Sequence, residues 1–291
     1  MTHTTPPPIV DITVGIPELA AYARTAVRLH PRRGAPGPDD SSIGGPIRWP
    51  ANEPWPFCDE AFNGHERPVA MVPIAQIYAA DVPAYPFPQG TDLLQILWCP
   101  NHDGLWLNHT ISVRWRRADD VTEVLADPPA PYTVEEEWLV PIPCVLDPEP
   151  VTEYPDSDEL PTEIQDAIDE WEAGYFAYQY GLSTASGCKV GGGMAWNVTD
   201  MGDPPTCAEC GAPAHLILQL DSSEWSGGAS DHDGGPPRWR PIEDAALDIV
   251  TSGDAYWAAL EPTGLQIGRY SHGGFFGCSA DHRHPATFHS Q

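Results

Sequence analysis

The sequence is poor in basic residues: 14 Lys and Arg stand against 42 Asp and Glu, a formal net charge of −28 over 291 residues. A nucleic-acid backbone meets repulsion from such a chain unless a local basic patch overcomes it. The two basic clusters, "HPRR" at 30–33 and "RWRR" at 114–117, carry too few interleaved aromatics for a nucleic-acid groove. Long apolar runs are missing too, since none approaches the ~18 residues of a membrane span. The opening "MTHTTPPPIVDITVG" lacks the basic-then-apolar order of a secretory signal, so a cytoplasmic protein is expected. Seven Cys, an odd number without such a signal, fit free thiols or a metal site better than a disulfide framework. No Gly-x-Ser-x-Gly elbow, phosphate-binding loop or His-Glu-x-x-His helix is present.

What the chain does have is turn chemistry. Thirty-four Pro and 26 Gly, spread evenly, break it into short segments and argue for a loop-rich sheet protein over a helical bundle. Eleven Trp and 41% hydrophobic residues are enough for a sizeable core. Two stretches read as helices: "IPELAAYARTAVRLH" from Ile16, with Pro17 in its first turn, and 158–180, with Leu160, Ile164, Ile168 and Trp171 on one face. Strands are expected at 69–78, 93–99, 110–116, 136–146, 214–220 and 273–278, and exposed loops at 36–42, 147–159 and 226–237.

"GGPIRW" at 44–49 and "GGGMAW" at 191–196 point to one unit used twice. The first half runs Gly44-Gly45, Trp49, Trp55-Pro56, Cys58, a strand ending in Gln76, and another ending in Cys99 with His102 just after. The second runs Gly191-Gly192, Trp196, Cys207, Cys210, a strand ending in Gln219, and "GGFFGC" ending in Cys278 with His282 just after. Gln76 to Cys99 spans far fewer positions than Gln219 to Cys278, so the second copy carries an insertion. The expected fold is mainly β (α+β), internally duplicated with pseudo-two-fold symmetry and a few peripheral helices, because a sheet unit this small completes its core by pairing with a second. The expected division is a helical segment at 1–40, a first β repeat at 41–150, a connecting helix at 151–185 and a second β repeat at 186–291.

The Gly pairs should supply positive φ or close backbone approach, and the Trp residues should fill the core. A strand Gln in an apolar setting needs its amide bonded, so Gln76 and Gln219 either fix a neighbouring loop or face a groove and bind a peptide backbone. On the second reading Trp49, Trp55, Gln76, Trp196 and Gln219 form a partner-binding set.

In "SSIGGPIRWPANEPWPFC", "VAMVPIAQIY" and "DLLQILWC", and in "KVGGGMAW", "CAECGAPAHLILQL" and "GGFFGC", the chain resembles the YwqG-like family, a bacterial group related to the eukaryotic programmed cell death protein 2 group. The resemblance spans roughly residues 40–285 and departs from the usual Gly-Gly-x-Pro in the second copy, which continues as Met194-Ala195. It implies a duplicated β fold with strands exchanged between halves, a role in protein–protein interaction of chaperone-like kind, and no enzymatic activity.

Cys207-x-x-Cys210 is the best metal candidate, since two thiolates at this spacing on a tight turn share one tetrahedral zinc. Cys278 and His282 complete a closed structural set, with His284 and Cys188 as further candidates. Cys58, Cys99 and His102 are the counterparts in the first half. A redox role for Cys207 and Cys210 would want a helix N-terminus directly after the motif, where the sequence reads as a strand. "HDG" at 102–104 and 232–234, with Asp231 and His232, would suit a metal-assisted hydrolase but sits in Gly-rich turns. The leading expectation is a non-enzymatic protein- or peptide-binding protein. Its rivals are a zinc-dependent hydrolase using the C-terminal Cys/His cluster, and an immunity or stress protein whose acidic surface masks a basic partner in a salt-sensitive way.

Overall fold

The computed structural model describes residues 2–8, 10–59, 65–102, 109–172, 178–196, 204–225 and 238–291. Its strands form three antiparallel sheets. One six-stranded sheet runs, edge to edge, β10 (Glu149–Glu153), β1 (Arg24–Arg28), β11 (Lys189–Gly191), β12 (Ala214–Asp221), β13 (His272–Cys278) and β14 (Thr287–Ser290). The other runs β2 (Arg32–Arg33), β9 (Cys144–Val145), β3 (Ser42–Ile43), β6 (Val72–Tyr78), β7 (Leu93–His102) and β8 (His109–Arg116). β4 (Phe57–Cys58) and β5 (Val69–Ala70) make a small ribbon. Both large sheets feed one core: Val27, Val190, Leu218 and Phe275 from the first meet Ile43, Ile74, Ile96 and Trp98 from the second. Ring contacts of Trp98 with Phe275 and Phe288 span the two layers. Among the described residues no helix is long and apolar enough to cross a membrane.

The chain crosses between the sheets twice. It leaves the first through Leu29 to Pro31 on the way from β1 to β2, and returns through Leu146 to Pro148 on the way from β9 to β10. The crossings bond one another, Asp147 N–H donating to Leu29 C=O at 2.9 Å. His30, at φ 41°, takes a left-handed turn that few non-glycine residues adopt, and its buried ring lies 3.1 Å from Glu149 Oε2. Each sheet therefore takes inner strands from distant parts of the chain: β1 pairs with β10 and β11, while β9 pairs with β2 and β3.

Buried polar side chains hold the Gly-rich segment between residues 185 and 193. Glu153, fully buried in β10, accepts from Lys189 Nζ at 2.6 Å, Ala185 N–H at 2.8 Å and Gly193 N–H at 2.6 Å. Lys189 is the chain's single lysine and is equally buried. Gly192 lies so close that a Cβ there would stand 2.1 Å from Glu153 Oε1, at a φ of +72°. Glycine at 192 thus follows from a buried carboxylate reaching the backbone. Asp221 accepts from Gly187 N–H, Glu224 from Cys188 N–H, and Arg28 donates to Ser186 C=O and Glu224 C=O. In the other sheet the matching loop is held by amides: Gln76 donates to Pro38 C=O and Asp40 C=O and accepts from Arg48 N–H.

Several sequence expectations need correction. The helix expected from Ile16 to His30 stops early: after α1 (Ile12–Gly15), Pro17–Tyr22 forms a 3-10 turn and the chain then extends into β1. Apolar residues at helical spacing here serve a strand, because pairing on both sides outweighs local propensity. The strand expected at 136–146 is mostly absent, because Pro141 and Pro143 cannot donate to a ladder; only Cys144–Val145 pairs. The midway helix is present as α2 (Thr162–Glu172), with Ile164 and Ile168 buried beside Leu160 and Leu19. A third helix, α3 (Asp254–Leu260), lies between β12 and β13. The loop at 226–237, with Asp231 and His232, lies outside the described residues.

Burial first, then the neighbouring Glu224, pushes the Asp221 carboxyl up to about 7, against the pull of the Gly187 and Ser223 N–H groups and the Lys189 ammonium. A folded pKa above the unfolded 3.8 contributes stability that is complete below 3.8 and is lost as pH rises through about 7. Going from about pH 8 to pH 5.5, the wild type should gain about 1–2 kcal/mol of unfolding free energy relative to Asp221→Asn, measured by urea titration at each pH.

Candidate metal centre

Two groups of thiols and imidazoles stand at the same level of the two large sheets. In one, Gln219 of β12 pairs with Gly274 of β13, and Cys278 follows four residues later. In the other, Gln76 of β6 pairs with Gln95 of β7, and Cys99 follows four residues later. A register shift falls at the same place in each ladder, between Leu216 and Leu218 and between Pro73 and Ala75.

The Cys278 group is built by a knuckle that runs directly into β12. Cys207 N–H bonds Ala212 C=O, Gly211 N–H bonds Cys207 C=O with Gly211 at φ +70°, and Thr206 bridges Pro213. Because Ala214 then pairs with Cys278, this turn delivers Cys207 and Cys210 to the end of β13. A second turn, closed by His284 N–H on Asp281 C=O, brings His284 back over the thiols. Cys207 Sγ lies 3.5 Å from His284 Nδ1, Cys210 Sγ lies 3.5 Å from Cys278 Sγ, and the four donor atoms lie within 4.8 Å of one another. A tetrahedral ion with metal–sulfur bonds of about 2.3 Å and metal–nitrogen bonds of about 2.0–2.1 Å sets ligand edges of roughly 3.5–3.8 Å. The residues present can therefore hold a metal ion. Burial opposes ionisation of Cys278, but the backbone N–H groups of Asp281 and Ala280, with His284 and Cys210, bring its thiol down to about 6. His284 moves the other way, its imidazolium favoured by Cys278 and Cys207.

The histidine that joins the three cysteines is His284; His282, two residues earlier and exposed, is not in the group. Cys188 is buried in the main core instead. β12, a strand, follows the Cys207–Cys210 turn, so the helix N-terminus a redox thiol would use is not there. In the first half Cys58 and Cys99 do come together, but with His65; the His102 side chain lies outside the described residues. The sequence holds a signal for His65 in its spacing, seven positions after Cys58, close to the six from Cys278 to His284.

Of the expected partner-binding set, Trp49, Trp55, Gln76 and Gln219 are buried and Trp196 is half-buried. Trp49 and Trp55 pack around Cys58 and Cys99, their indole N–H groups donating to Glu53 C=O and Met71 C=O. Trp196 stacks on Phe276 above β13. Gln219 donates to Ala185 C=O and Gly187 C=O, as Gln76 does to Pro38 and Asp40. The Gln residues thus fix loops and Trp49 and Trp55 fill space, while Trp196 keeps part of its surface open. The open surface nearby is a groove of about 1020 Å³ between the 277–286 stretch and β8, with Phe57, Met71 and Phe87 also on its walls.

Compared with models of protein families and with curated proteins, the chain matches none.

A chelator should lower the thermal midpoint of the purified protein by about 2–4 °C for each kcal/mol of metal stabilisation removed. In Cys210→Ser/His284→Ala that part of the shift belonging to the C-terminal group should disappear, which differential scanning calorimetry with and without chelator will show.

Proposed function

We propose that this chain is a non-enzymatic peptide-binding protein of YwqG-like type, made of two copies of one sheet unit, in which the Cys207 group is a structural zinc site. The matched pairing of Gln76 and Gln219, the matched register shifts and the equal strand order of the two sheets support the duplication. Three thiolates and one imidazole fill a tetrahedral ion's coordination sphere, which suits a clip and leaves a hydrolase no position for water. The ion would tie the knuckle before β12 to the end of β13 and shape the 277–286 wall of the groove.

The observation that carries the binding role is the place of β8. It is the terminal strand of its sheet, so one side of its backbone lies outside that sheet's ladder, and residues 111–115 of this strand line the groove. A partner entering in extended form adds its backbone bonds along such an edge and seats alternate side chains in pockets beside it. Phe87 and Trp115, edge to face at 5.1 Å, supply an apolar seat. The ligand read from this geometry is an extended, apolar-anchored segment of a partner protein.

Selection of a random peptide library displayed on phage against the immobilised protein should enrich sequences with a recurrent apolar anchor. Their affinity should fall about tenfold or more in Phe87→Ala, on the scale of a truncated interface anchor. Failure to enrich any peptide over a blank support, with the protein folded, would overturn this reading.

A further inference from the structure

We propose that Cys58, His65 and Cys99 form a second zinc site, buried beneath the β4–β5 ribbon and separate from the Cys207 group. The inference rests on reading these Cys/His groups as metal sites and extends it to a set with different chemistry. The three donor atoms lie within 4.8 Å of one another, with His65 Nε2 at 3.4 Å from Cys58 Sγ. A thiolate and an imidazole on one tetrahedral zinc stand roughly 3.5 Å apart. The side chains converge from three places: Cys58 ends β4, Cys99 lies in β7, and His65 follows the segment after β4.

Charge distinguishes this set from the C-terminal one. Two thiolates and a neutral imidazole balance a divalent ion, giving a core with no net charge. That balance suits the site's depth, with exposures of 1% for Cys58, 8% for His65 and 0% for Cys99, because an unbalanced charge there would carry a large desolvation cost. Three thiolates and an imidazole around the same ion carry a net negative charge, and that set reaches the surface, where Cys210 is exposed. A monovalent soft ion would leave the buried set negative, so the divalent ion fits better. Charge balance also calls for a neutral donor, such as water, in the fourth place.

Around the buried set the protein provides an apolar shell of Trp49, Trp55, Met71 and Leu97. Such a shell limits exchange of the ion with solvent. With its ligands drawn from β4, β7 and the intervening chain, the ion would fasten the ribbon to the sheet, as its counterpart fastens the knuckle to β13.

The test is metal analysis of the full-length chain purified from zinc-supplemented cells, by plasma mass spectrometry, with cobalt(II) reconstitution as a second readout. The wild type should carry about two zinc ions per chain and Cys210→Ser/His284→Ala about one, because that variant alters only partly exposed donors of the other group. Cobalt in that variant should show tetrahedral absorption with a weaker thiolate charge-transfer band than the wild type. His65→Ala should lose one ion and His65→Cys retain it, which separates ligand loss from misfolding. A folded Cys210→Ser/His284→Ala protein without zinc or tetrahedral cobalt, beside a wild type that binds one ion, would overturn the second site and leave the first standing. A folded wild type that takes up neither metal would overturn both.

Discussion

The constraint on which most of this architecture depends is the burial of charge against backbone. Glu153 lies in β10, two strands away from β11, and still reaches Lys189 and the N–H groups of Ala185 and Gly193. Left unbonded at that depth, the carboxylate would oppose folding by several kcal/mol; bonded to a lysine and two amides, it makes one path available to the chain. Asp221, Glu224 and Arg28 repeat the device on Gly187, Cys188 and Ser186, so the segment before and after β11 is held atom by atom from the surrounding strands. At Gly192 a side chain would collide with Glu153 and at Gly187 it would press on Glu224, both positions also having positive φ.

The other sheet solves the same geometric problem with neutral groups. Gln76 bonds Pro38, Asp40 and Arg48, and Gln95 bonds Arg48 C=O and Gln76 Oε1. The contrast between amides in one sheet and mixed charges in the other parallels that between the two Cys/His groups. Position is shared while chemistry differs, as expected when the backbone dictates where polar atoms are needed and leaves their identity open. The groove beside β8 is bounded by the turn that carries His284, so the geometry of the Cys207 group and the shape of the open surface are linked.

Much of this was legible in the sequence where the signal was local. The β class, α2 and five of the six strand positions followed from Pro and Gly punctuation and from apolar runs. The Cys207, Cys210 and Cys278 grouping followed from the turn spacing and the order of the strands. What was not legible depended on contacts between distant parts of the chain. β1 carries apolar residues at a spacing that also suits a helix, and only its place between β10 and β11 decides the matter. His284 and His282 flank the same turn with the same chemistry, and the bond from His284 N–H to Asp281 selects between them. Gln76 and Gln219 point inward, which strand alternation alone does not foretell, since it does not say which face another sheet will cover.

The double crossing near Leu29 and Asp147 sets a condition on how the molecule comes into being. The sheet of β2 to β9 has all its strands once Val145 is made, whereas the sheet that holds β1 waits with that strand unpaired until β10 and β11 arrive more than 120 residues later. Parted between β8 and β9, the two pieces would each show a slot in place of a missing strand, β9 in one sheet and β1 in the other. The wiring of the chain thus gives the two layers different times of closing, the earlier one offering its apolar face to the later.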